Sequence, residues 1–212
     1  MSKLARLVVL ISGNGSNLQA ILDACSCGLL PARVTAVISN KDNAYGLQRA
    51  KNANVETVIQ PLQKNQPRSE YDKLLAETAA EFEPDWIILA GWMRLLTNAF
   101  LNRFPVQVIN LHPALPGTFP GTHAIERAYL AWQNGLIPYT GVMVHLVPDE
   151  GVDSGPLLNM RIVKINDEDT LESFEERMHG VEHELLVETI KSVIENGLER
   201  TMQHAKSNTF SS

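Results

Sequence analysis

The stretch Val108-Ile109-Asn110-Leu111-His112-Pro113 carries the clearest chemistry in the chain. The apolar run Val106–Leu111 reads as a strand, and side chains along a strand alternate between faces, so Asn110 and His112 share one face while Leu111 takes the other. Imidazole changes charge near neutral pH and can give or take a proton. A carboxamide N–H beside it can donate to an oxygen on which negative charge develops. The pair suits acyl transfer through a tetrahedral intermediate. Pro113 ends the strand and opens a rigid loop. A carboxylate near the imidazole would favour its protonated form. The best candidate is Asp153, in the glycine-containing loop Asp149–Pro156. No G-x-S-x-G serine elbow is present, and Cys25 and Cys27 fall near the end of an expected helix. Direct transfer without a covalent enzyme intermediate is therefore expected.

A second candidate is Gly13-Asn14-Gly15-Ser16-Asn17, between an apolar strand and a helix that Ser16 or Asn17 can cap. A helix N-terminus presents backbone N–H groups and the positive end of the helix dipole to an anion, and glycines let the backbone come close. Leu18 stands where a dinucleotide fingerprint would place its third glycine. The next strand ends in Ser39-Asn40-Lys41, with no acidic residue for a ribose hydroxyl. A single phosphate monoester suits this loop better than a dinucleotide.

His179-Gly180-Val181-Glu182-His183 matches the H-x-x-E-H zinc pattern. Gly180 weakens a helix there, and no third ligand stands out. A solvated helix face is the preferred reading over a metal site, so no metal is expected.

Strand and helix signals alternate along the whole chain. Strands are expected at Leu7–Ile11, Val34–Ile38, Val55–Ile59, Trp86–Ala90, Val106–Leu111, Gly141–Val147 and Leu157–Ile165, the last two as an antiparallel pair. Helices are expected from Ser16 to about Cys25, over Tyr45–Ala53 and Glu70–Phe82, after Gly121 to Trp132 or Gln133, and from about Thr170 to Asn196. On the third of these, Tyr71, Leu74, Leu75 and Phe82 mark the apolar face. The expected fold is α/β and Rossmann-like: a mostly parallel twisted sheet flanked by helices, with a C-terminal strand pair and long helix. One domain is expected, with a phosphate-binding half over about residues 1–110, a catalytic half over about 111–200, and a frayed tail over 201–212. The 212 residues are 44% hydrophobic and 20% charged, with a net charge of −6. That balance argues against a general nucleic-acid binder. No apolar run reaches membrane-spanning length, and the apolar start is shorter than a secretory leader. Two cysteines make no disulfide framework. Together these features point to the cytoplasm.

Leu10–Ala20, Leu89-Ala90-Gly91-Trp92-Met93-Arg94, Ile109–Pro113 and Asp153-Ser154-Gly155-Pro156 occur in that order. With these motifs the chain closely resembles the folate-dependent formyltransferases that act on glycinamide ribonucleotide, from about Leu7 to about Glu195. Asn-x-His-Pro is shared across the wider superfamily, whereas the Gly-Asn-Gly-Ser-Asn loop is specific to this branch. The resemblance implies that Asn110, His112 and Asp153 are catalytic, with Asp153 raising the imidazole pKa. Gly15, Ser16 and Asn17 would hold the substrate phosphate, and His179, Gly180, Val181 and Glu182 would meet the same substrate. Arg68, Met93, Arg94, Leu95, Leu96 and Asn110 would meet the folate, with the loop Pro148, Asp149, Glu150, Gly151 and Val152 closing over its pterin. The implied co-substrate is 10-formyltetrahydrofolate, with no metal, nucleic acid or membrane partner, in a monomer or homodimer.

Overall fold

Leu7 to Ile11 are each fully buried. A strand apolar on both faces belongs at the centre of a parallel sheet, where helices cover both sides. The computed structural model describes residues 3–209. Its elements run β1 (Ala5–Ile11), α1 (Ser16–Ser26), β2 (Ala32–Ser39), α2 (Tyr45–Asn52), β3 (Glu56–Ile59), α3 (Arg68–Glu81), β4 (Trp86–Leu89), α4 (Asn98–Leu101), β5 (Val108–His112), α5 (Ala124–Gln133), β6 (Tyr139–Leu146), β7 (Leu157–Lys164), α6 (Leu171–Asn196) and α7 (Leu198–Thr209). Seven strands form a mostly parallel sheet in the order β3-β2-β1-β4-β5-β6-β7. The chain divides into two compact units. One takes the residues up to Asn110 together with Leu146–Gly151; the other takes Leu111–His145 and the chain from Val152 onward.

In the first unit, β1 pairs in parallel with β2 and β4, while β3 extends β2 and β5 follows β4. One face of β1, through Val8 and Leu10, joins a core with Tyr71, Leu75 and Ala79 of α3 and with Phe100 and Phe104. The two phenylalanine rings lie 5.2 Å apart. Truncating a fully buried leucine such as Leu75 in this layer would cost about 2–5 kcal/mol, from lost transfer energy and the cavity left behind. Leu74, expected on the same helix face, is 48% exposed instead. The fifth strand also starts later than expected. Val106 has φ 60 and is half exposed, so it belongs to the turn into β5 rather than to the strand.

In the second unit, β6 and β7 pair antiparallel, with Val144 opposite Asn159. The register shifts between Val144 and His145, and such an irregularity re-aims the side chain that follows it. Helix α6 opens on a reciprocal capping box. The Thr170 hydroxyl accepts the Ser173 amide at 3.2 Å, and the Ser173 hydroxyl accepts the Thr170 amide at 3.0 Å. Tyr129 of α5 stacks on Phe174 at 5.9 Å and donates its hydroxyl to the Asp169 carbonyl at 2.6 Å. Gly197, with φ 79, stops α6. The next segment was expected to be a frayed tail; residues 201–209 are instead helical, within α7. Thr201 and Ala205 are buried there, and Thr201 shares a 2.9 Å hydrogen bond with Ser192. Residues 210–212 of the expected tail lie outside the described residues.

Candidate active site

His112 ends β5 and is 4% exposed. Its Nε2 lies 3.1 Å from the Phe119 carbonyl oxygen. A carbonyl only accepts, so this contact assigns a proton to Nε2. Its Nδ1 lies 3.3 Å from Asp153 Oδ2. Both ring nitrogens thus face acceptors, and only the imidazolium satisfies both. Burial works the other way and prevails. It pushes the His112 pKa below its usual value, against the upward pull of Asp153 and the Phe119 carbonyl, with His145 and Arg127 adding to the downward push. The expectation that Asp153 raises this pKa therefore holds for its own contribution, but not for the net direction.

Asp153 is held from several sides. Its Oδ2 accepts the Gly121 amide at 2.8 Å, and its Oδ1 lies 3.6 Å from His145 Nε2. Burial tends to raise its pKa, but the His145 contact, the Gly121 amide and the charge of His112 hold the net value below the ordinary carboxylate value. Asp153 sits at φ 48, a left-handed conformation that Asp tolerates better than bulkier residues do. It also lines a cleft of about 350 Å³ with Thr118, Pro120, Met143, Val152 and Leu157. A pocket with apolar walls and one carboxylate suits a small organic ligand.

In the first unit, Gly15 rather than Ser16 or Asn17 caps α1. It adopts φ 76 and ψ 29 with no side-chain cap, and Ser16 and Asn17 begin the helix. A Cβ on Gly15 would lie 2.6 Å from the Gly46 Cα. The Gly46 amide donates to the Gly13 carbonyl at 3.1 Å. Two glycines thus allow α2 to pack directly on the loop. Arg49 of α2 braces it further, donating through Nε to the Asn14 carbonyl at 2.9 Å and through Nη2 to Asn14 Oδ1 at 3.0 Å.

A family model described as formyl transferase matches residues 5–190. The chain is 48% identical to the phosphoribosylglycinamide formyltransferase of Dictyostelium discoideum, over 87% of this chain and 96% of that protein. The enzyme of the same description from Escherichia coli is 38% identical over 84% of this chain and 81% of its own. Glycinamide ribonucleotide transformylase 1 from Symbiobacterium toebii superposes with a TM-score of 0.85 at 38% identity, covering 92% of this chain and 90% of that one. The chain belongs to the formyl transferase family.

The other expected residues of this formyl transferase fall into distinct settings. Arg68, the first residue of α3, donates from Nη2 to the Leu95 carbonyl at 3.1 Å. The Met93 amide donates to Ser12 Oγ at 2.9 Å, and Ser12 Oγ donates to Asn40 Oδ1 at 2.7 Å. In this segment Met93 and Leu95 point outward, Leu96 is buried, and the Arg94 guanidinium lies 5.2 Å from the Tyr71 ring centroid. Pro148, Asp149, Glu150, Gly151 and Val152 are exposed. Glu150 Oε1 accepts the Asn98 amide at the start of α4, and the Gly151 amide closes a turn on Asp149 Oδ1. Asn110 is half-buried on β5.

On α6 of this formyl transferase, Glu182 is 4% exposed, so the expected solvated face holds for His179 and Gly180 only. The Glu182 carboxylate lies 3.1 Å from His179 Nδ1 and raises the His179 pKa. Among the described residues, no cluster of three or more His, Cys, Asp or Glu is arranged to hold a metal ion, and no helix is long and apolar enough to cross a membrane. Cys25 is half-buried, and burial pushes its thiol pKa up to about 11, far from that of a nucleophile. Sequence reasoning missed His145 and Arg127. Arg127 donates from Nη2 to the Phe119 and Pro120 carbonyls at 2.6 and 2.7 Å. His145 sits in an apolar strand and Arg127 on an amphipathic helix, and neither setting carries a motif that marks a site.

Proposed function

We propose that this protein transfers the formyl group of 10-formyltetrahydrofolate to the amine of N1-(5-phosphoribosyl)glycinamide, a step of purine synthesis. The observation that carries this reading is the pairing of buried His112 with Asp153, 3.3 Å apart and bordered by a ligand-sized cleft. The glycinamide nitrogen attacks the formyl carbon, forming a C–N bond and placing negative charge on the former carbonyl oxygen. Asn110 and His112 stabilise that oxyanion, the imidazole, which burial holds below the ordinary histidine value, becoming protonated as the amine gives up its proton. The intermediate collapses by breaking the bond to the folate nitrogen, which takes up the proton released by the attacking amine. The imidazole, held between the Asp153 carboxylate and the Phe119 carbonyl, accommodates the charge while the proton moves.

Gly15, Ser16 and Asn17 hold the substrate phosphate on the N-terminus of α1, where no side chain competes as a cap. His179 and Glu182 meet the same substrate, where a buried carboxylate is suited to accept from a hydroxyl or amine. Arg68, Met93 to Leu96 and the Pro148–Val152 loop meet the folate, with the exposed Met93 and Leu95 offering apolar contact to a flat ring.

The test is an absorbance assay of deformylation of the folate donor, with and without the ribonucleotide, run beside His112→Ala. Turnover that requires the ribonucleotide and collapses in the variant is the expected result. Turnover without it would mean hydrolysis. No turnover from folded protein would remove the transferase reading.

A further inference from the structure

The Phe119 carbonyl that meets His112 belongs to a loop whose backbone resists its own conformation. Phe119 has φ 45, Gly121 has φ 80 and His123 has φ 57. An aromatic residue rarely adopts a left-handed conformation, and it persists there only where the surroundings hold it. The Arg127 side chain contributes to that hold. Arg127 Nη2 donates to the Phe119 and Pro120 carbonyls at 2.6 and 2.7 Å, and its guanidinium lies 5.9 Å from the Phe119 ring centroid. Charge-assisted bonds of this length are the strong kind. The clamped segment sends one group to each member of the catalytic pair: the Phe119 carbonyl to His112 Nε2, and the Gly121 amide to Asp153 Oδ2.

We propose that Arg127 is a positioning residue for the formyl transfer: by clamping the carbonyls of Phe119 and Pro120, it fixes the tautomer and orientation of His112 and the rotamer of Asp153. This rests on the catalytic reading of His112 and Asp153 above. Arg127 touches neither substrate in this scheme, so its loss misplaces the imidazole without removing a binding contact.

The test uses Arg127→Met and Arg127→Lys in the full chain, with two readouts. Steady-state kinetics should show kcat lowered by about 10- to 100-fold in Arg127→Met, the scale of a misplaced catalytic group. Both KM values should stay within about two-fold of wild type, the split expected when only transition-state stabilisation is lost. Spectra of protein carrying ¹⁵N-labelled histidine should show a protected His112 Nε2–H in the wild type that is lost to exchange in Arg127→Met. Arg127→Lys keeps the positive charge on a side chain one atom shorter than the Nη2 that makes both bonds, and should recover part of each. Thermal melts control for unfolding; if Arg127→Met does not fold, the lysine variant decides by the same two readouts. Unchanged kcat, or lowered kcat with the His112 N–H signal intact, would overturn the proposal. If instead His112→Ala and Asp153→Asn left transfer intact, the catalytic reading would fail, while the spectra would still report whether Arg127 holds the imidazole.

Discussion

Asp153 Oδ2 stands 3.3 Å from His112 Nδ1 while accepting the Gly121 amide at 2.8 Å. The carboxylate is therefore fixed by the backbone before the imidazole is considered. It faces the imidazole as a pre-placed negative charge, in a setting whose burial opposes any positive one. The two influences on His112 are separable by titration.

His112 should titrate below the ordinary histidine value because burial outweighs its acceptor partners. Asp153→Asn removes the main upward pull and should lower the midpoint further. Histidine ring signals followed by NMR across pH 4–8 check both. The sign for stability follows. The unfolded chain takes up this proton at the ordinary value of about 6.5, and the folded chain only at lower pH. The unfolded state therefore binds more protons in the interval between, and this group costs stability as pH falls through it. A His112→Gln variant should lack that part of the loss in denaturation midpoints measured from pH 7 to pH 5. A His112 midpoint above 6.5 would sink the claim.

Asn110→Ala should lower kcat by about 10²- to 10³-fold with little change in either KM, the usual loss when one oxyanion donor is removed. Steady-state rates at saturating donor and acceptor measure it. A change confined to KM would assign Asn110 to binding instead.

Ser12 ties the end of β1 to the segment expected to hold the pterin. Its hydroxyl accepts from the Met93 amide and donates to Asn40 Oδ1, at 3% exposure. Ser12→Ala strips both partners at once and should cost about 1–3 kcal/mol of stability. It should also raise KM for the folate donor more than KM for the ribonucleotide, because Met93 loses its anchor. Urea denaturation and substrate titrations check the two halves separately.

The order of the seven strands and of five helices was legible because the chain alternates short apolar β-branched runs with amphipathic stretches, and because Asn110 and His112 sit on a strand end; the four-residue α4 was not expected. The parts that were not legible had physical reasons. Val106 is apolar and β-branched, yet it takes a left-handed turn that local pattern does not register. Helix α7 is stabilised by tertiary packing of Thr201 and Ala205, while its sequence reads as polar. Glu182 is buried beside His179, a burial that a charged residue on a helix does not announce. His145 comes within 3.6 Å of Asp153 just after a register shift in β6, an irregularity that the alternating pattern does not show. In each case the outcome is decided by backbone conformation or by burial in the packed fold, and the period of apolar residues along the sequence registers neither.

The phosphate loop yields a ranked prediction, because the space around its glycines is unequal. A Cβ on Gly15 would meet the Gly46 Cα at 2.6 Å, a backbone atom that cannot give way cheaply, and the residue would also have to keep φ 76. A Cβ on Gly46 would meet the Ile11 Cδ1 at 2.5 Å, the movable end of a side chain, and the Gly15 Cα at 3.2 Å. Gly15→Ala should therefore displace the loop more than Gly46→Ala. If the loop holds the substrate phosphate, losing one or two charge-assisted bonds of about 1.5–3 kcal/mol each raises KM for the ribonucleotide by at least about ten-fold in Gly15→Ala. Gly46→Ala should give a smaller rise, and KM for the folate donor should stay put in both. Inhibition by inorganic phosphate should weaken in the same order, which separates loss of the anion site from general loosening. A Gly15→Ala enzyme that binds ribonucleotide and phosphate as the wild type does would remove the phosphate from this loop, whatever the catalytic pair does.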